Sequence, residues 1–115
     1  MWRLMSNLVL VYITFSNLKE AQIISEELLN EKLIVCVNIF PEVNSLYLWE
    51  GKINSSCEVA AIMKSRNDQT DEIVEKIEAM HSYDQPAIAV IPVGKASKSF
   101  TNWVNNVIDI NNIGV

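Results

Sequence analysis

Apolar and polar positions alternate along this chain in two rhythms, one of strands and one of helices. Leu8-Val-Leu-Val-Tyr-Ile-Thr-Phe15 is short, β-branched and aromatic, with turn-forming residues at both ends, which predicts a strand. Asn17 sits three residues before Glu20, a capping-box-like start. Leu18, Ala21, Ile24 and Leu28 follow at helical spacing, so a helix is expected to about Lys32. Residues 33–39 and 45–49 prefer strand, with Pro41 between them. A proline fits only an edge or a bulge, so the two segments read as one long, bent strand.

Glu50-Gly51 then reads as a hairpin turn into a second strand ending near Arg66. A two-residue turn pairs Trp49 with Lys52, and counting back puts Cys36 opposite Ser65 and Cys57 opposite Asn44. The two cysteines then stand eight residues apart along the strand, or ~26 Å at ~3.3 Å per residue. That separation excludes a disulfide, and a bulge at Pro41 shifts the register by only one residue. Two separate buried thiols are expected.

Asp68 or Thr70 is placed to cap a second helix, in which Ile73, Ile77 and Met80 form an apolar stripe that ends near His81. Pro86-Ala-Ile-Ala-Val-Ile-Pro-Val93 reads as an edge or terminal strand stopped by Gly94. Phe100, Trp103, Val104, Val107 and Ile108 mark a last helix behind Ser97 or Ser99. The order predicts one α+β domain over 1–115, with a core over about 8–108. Its first six elements match a split βαβ, or ferredoxin-like, sandwich with a long hairpin, and a third helix is added at the end.

In such a sandwich both main helices lie on one face of the sheet, so the strands of a monomer should alternate apolar and polar. Leu8–Phe15, Val59–Met63 and Ala87–Val93 are apolar at nearly every position instead. Both pleat faces need cover, and a second copy of the chain is the simplest source of it.

Composition narrows the function. The 115 residues are half apolar and carry a net charge of −5 with no run of Lys or Arg, so a nucleic-acid partner is not expected. The apolar run after Arg3 is far below the ~20 residues of a membrane span and is followed by a helix start, not a cleavage site. No membrane partner and a cytoplasmic location are expected, with Met5 as an alternative start.

Ser45-Leu-Tyr-Leu-Trp-Glu-Gly-Lys-Ile53 resembles the S-x-Y-x-W-x-G-x-I hairpin of the CutA divalent-cation tolerance family. Glu31, Lys32, Leu33, Cys36-Val-Asn38, Glu58, Lys64, His81-Ser-Tyr83, Pro86, Pro92 and Trp103 match in register, so the resemblance spans about Leu8 to Val107. It implies a ferredoxin-like fold assembled as a homotrimer with hairpin strands exchanged between subunits, similar to the PII signalling trimers. Divalent metal, copper foremost, is the implied ligand.

His81, the only histidine, is the candidate metal ligand; the alternative is a helix-terminal histidine hydrogen-bonded at a subunit boundary. Family members credited with copper binding are thought to use thiols beside this histidine. The thiols here lie on the hairpin strands instead, so a copper site is expected to be weak, absent as purified, or built between subunits. Glu58, Lys64 and Arg66 share one pleat face, with Trp49 near the hairpin tip and Tyr83 beside His81. They are the candidate lining of an inter-subunit cleft for a small anion or metabolite, or else ion pairs at the trimer interface. No nucleophile elbow, P-loop, dinucleotide or zinc-protease motif occurs, and no catalysis is expected.

Overall fold

The computed structural model describes residues 6–112; Arg3 and Met5 lie outside them. The elements are β1 (Leu8–Phe15), α1 (Leu18–Asn30), β2 (Cys36–Trp49), β3 (Lys52–Arg66), a 3-10 turn (Asn67–Gln69), α2 (Thr70–Met80), β4 (Ile88–Pro92) and α3 (Lys98–Asn112). The sheet order is β2-β3-β1-β4 with every neighbour antiparallel, which is the ferredoxin-like α+β arrangement.

Asn17 caps α1 by accepting the Glu20 amide at 2.8 Å. The helix ends at Asn30, short of Lys32, which adopts a left-handed φ of 58°. Of the expected stripe, Ala21, Ile24 and Leu28 are buried and Leu18 is exposed. Asp68 and Thr70 do not cap α2. Both Asp68 oxygens bind Arg66, and the Thr70 hydroxyl donates to the Asn67 carbonyl. Ser97 does cap α3, accepting the Phe100 amide.

Alternate residues of β1 and β3 decide the core. Val9, Val11, Ile13 and Phe15 stand beside Met63, Ala61 and Val59 on one face, where Ala21, Ile24, Leu28, Ile73 and Ile77 of α1 and α2 seal them. On the opposite, outer face Val104 and Ile108 of α3 close over Leu8 and Val35 at one end, and the small Thr14 and Ala60 are buried at the other. Elsewhere it shows Tyr12, Phe40 and Ile91 to solvent.

The hairpin outruns the sheet. β3 pairs with β1 only from Val59 onward, so the stretch from Val43 to Glu58 forms a two-stranded arm. Leu46, Leu48, Trp49 and Ile53 on it are 69%, 76%, 64% and 77% exposed. Glu50 and Gly51 at the tip both take positive φ, 52° and 75°, as a two-residue hairpin turn matched to strand twist requires.

Two expectations about the cysteines change. The register breaks between Phe40 and Val43, so Cys36 stands opposite Lys64 and not Ser65, while Cys57 does face Asn44. Both thiols are free, but only Cys36 is partly buried; Cys57 is exposed because the arm has no cover.

Leu28 is fully buried against this core. Leu28→Ala is therefore expected to cost about 2–5 kcal/mol of stability, read as a lowered midpoint in urea unfolding.

Candidate functional site

His81 ends α2, its amide bound to the Ile77 carbonyl at 2.9 Å. The side chain is 0% exposed. Phe15 stacks on the ring at 5.1 Å and Tyr83 leans on it at 4.7 Å. Nε2 lies 2.8 Å from the Thr14 carbonyl, and Nδ1 accepts the Tyr83 amide at 3.0 Å. A carbonyl only accepts, so the proton sits on Nε2 and the lone pair of Nδ1 is used by Tyr83. In this arrangement neither nitrogen is open to a metal.

Glu20 is the residue that sequence reasoning used only as half of a cap. Its Oε2 accepts the Ser82 amide at 2.7 Å and stands 4.0 Å from His81 Nδ1, while Oε1 accepts both the amide and hydroxyl of Ser16. Burial works to raise this carboxyl, but the Ser82 and Ser16 donors outweigh it and hold it below the ordinary carboxylate value. The spacing from Asn17 pointed to a reach backward; nothing in the spacing showed the reach across to Ser82.

Tyr83 carries the network to the root of the arm, its hydroxyl donating to Glu58 Oε2 at 2.8 Å. Burial first, then the Glu58 carboxylate, push the phenol up to about 12, so it stays protonated. The second Glu58 oxygen has no partner among the described residues. Trp49 shares the Glu58 face, with Tyr47 between them, but stands at the tip.

The expected cleft residues divide into two groups. Arg66 lies at the far end of β3 from Glu58, eight residues and ~26 Å away at ~3.3 Å per residue. There its Nε and Nη2 hold Asp68 at 2.8 and 2.9 Å, and Nη1 holds Asp109 at 2.7 Å and Asn105 at 3.2 Å. Asp68, with help from Asp109, pushes the guanidinium further up its range. Arg66 thereby ties β3 to α3 and has little left for a ligand. Lys64 stands between the two groups, half-buried, its ammonium without a hydrogen bond or ion pair among the described residues. No cluster of three or more His, Cys, Asp or Glu residues suited to a metal occurs among them either, and none of their helices is long and apolar enough to cross a membrane.

The Arg66 clamp has a pH signature. Arg66 holds the Asp68 carboxyl below its ordinary value, so this stabilisation is fully present above the unfolded carboxyl value of about 4 and is lost as pH falls through the lower folded value. Arg66→Met is expected to lower stability at neutral pH and to flatten the acid limb of a stability-versus-pH curve below about pH 4.

Comparison with known proteins gives the geometry its context. Residues 9–107 match the family described as CutA1 divalent ion tolerance protein. The divalent-cation tolerance protein CutA of Archaeoglobus fulgidus is 41% identical over 99 residues, 86% of this chain and 96% of that protein. The chloroplastic CutA 1 of rice is 33% identical over 85% of this chain, which spans 55% of that longer protein. The crystal structure of the divalent ion tolerance protein CutA1 from Ehrlichia chaffeensis superposes with a TM-score of 0.85 at 41% identity, covering 90% of this chain and 97% of that one. The chain belongs to the CutA1 divalent ion tolerance family.

Proposed function

We propose that the chain acts as a homotrimer in divalent-cation tolerance, without catalysis, and that a cation it takes, copper foremost, is coordinated between subunits. The bare apolar arm carries the assembly half of this reading. An isolated two-stranded hairpin is marginal in water, and one showing Leu46, Leu48, Trp49 and Ile53 to solvent calls for a neighbour to dock against.

The corner of Glu58, Tyr83, His81 and Glu20 supports the cation half. It is acidic, and Glu58 keeps an oxygen unused. One subunit alone does not fit a resident metal, because the His81 nitrogens and both Glu20 oxygens are occupied and the Tyr83 phenol is held protonated. Further ligands have to come from a neighbour. The competing reading, a PII-like trimer holding a small anion over Lys64 and Arg66, loses Arg66 to Asp68 and Asp109.

Native mass spectrometry is expected to give three times the 13.0 kDa chain. Calorimetric titration of that oligomer with copper(II) is expected to show saturable heat that Glu58→Gln removes. Heat lost in His81→Ala but kept in Glu58→Gln would return the role to the imidazole. An intact oligomer with no saturable heat would end the metal reading.

A further inference from the structure

The outer sheet face carries an unusual charge inventory. Strand pairing places Leu8, Leu10, Tyr12 and Thr14 of β1 on it, with Ala89 and Ile91 of β4. β2 contributes Cys36, Asn38 and Phe40 before the register break, then Val43, Ser45, Tyr47 and Trp49. From β3 come Lys52, Asn54, Ser56, Glu58, Ala60, Ile62, Lys64 and Arg66. Glu58 is therefore the only carboxylate that the paired strand positions place on this face; Glu42 lies in the register break, where no pairing assigns it a face.

Three cations share the face with it. Arg66 is neutralised by Asp68 and Asp109, and Lys52 is exposed at the arm tip. Lys64 remains: half-buried between Leu10 and Cys36, its ammonium without a partner among the described residues. Within one subunit it cannot reach Glu58, since six residues of extended strand separate them by about 20 Å.

Covering this face with a second copy would bury an ammonium and a carboxylate together. Either one buried alone carries a desolvation penalty far above that of a hydrogen-bonded pair. In a ring of identical subunits each contact joins two different patches of the same surface, which lets widely spaced opposite charges meet. We infer that the Lys64 ammonium of one subunit pairs with the open Glu58 oxygen of its neighbour, so that each Glu58–Tyr83 corner is completed by another copy of the chain. The pairing rests on the oligomer proposed above and not on the cation. In the metal-free oligomer the occupant of that Glu58 oxygen is this lysine, reached across the interface, and a cation taken at the corner has to displace it.

A zero-length carbodiimide tests it on the assembled wild-type protein, because that reagent joins a carboxylate to an amine only where the two already touch. Peptide mapping is expected to recover a Lys64–Glu58 link in the covalent two-subunit species, and the ~20 Å spacing within one chain makes such a link intermolecular. Lys64→Glu is expected to weaken assembly in sedimentation velocity, and adding Glu58→Lys to restore it. An assembled protein that yields other lysine–carboxylate links but none at Glu58 overturns the pairing alone, as does a double variant no better assembled than Lys64→Glu. A wild-type chain that sediments as a single subunit overturns the oligomer and the pairing together.

Discussion

A four-stranded sheet with apolar side chains on both surfaces, and two helices to cover one of them, is the constraint from which the other features follow. The helix-covered side is closed by contacts between β1, β3, α1 and α2, in which Val11, Ile13, Phe15, Met63, Ile73 and Ile77 are wholly withdrawn from water. On the outer side α3 closes one end, Tyr12, Phe40 and Ile91 stay exposed, and the arm's Leu46, Leu48, Trp49 and Ile53 are bare. Apolar area left in water forfeits roughly 25 cal/mol per Å² that burial would return. The single subunit is thus a folded body with an unfinished surface.

Electrostatics divide that surface along β3. At one end Glu58 and Tyr83 join the arm to the loop after α2, and His81 braces the loop from beneath with hydrogen bonds to Thr14 and Tyr83. At the other end Arg66 locks α3 against the strand through Asp68 and Asp109. Each cluster satisfies most of its own polar groups. Among the described residues, one Glu58 oxygen and the Lys64 ammonium are left over from these clusters.

Much of the fold was legible because periodicity is a local signal. β1, the α1 stripe from Ala21 to Leu28, the Ile73 and Ile77 face and the Glu50-Gly51 turn all follow from spacing alone. The misplacements lie where a distant partner decides. Asp68 has the right chemistry for a helix cap, but Arg66 offers it a charged fork, and a charge-assisted pair outcompetes a neutral amide. The candidate corner was legible in some of its residues and not in its connections. His81, Tyr83 and Glu58 were singled out, yet Thr14, Phe15 and Glu20 enter through β1 and α1, far away in sequence. Arg66 looked available for a ligand because Asn105 and Asp109 approach it only once α3 has folded back.

The irregularity at Pro41 has a mechanical meaning. Inside the body, β2 pairs with β3 as Cys36 with Lys64 and Phe40 with Ala60; along the arm, Val43 with Glu58 and Trp49 with Lys52. The two stretches are out of step by one position, because Pro41 and Glu42 together stand where a regular ladder has a single residue. The kink acts as an expansion joint. Core packing dictates the phase on one side and the tight turn dictates it on the other, so lengthening or trimming the tip need not propagate a slip into the body.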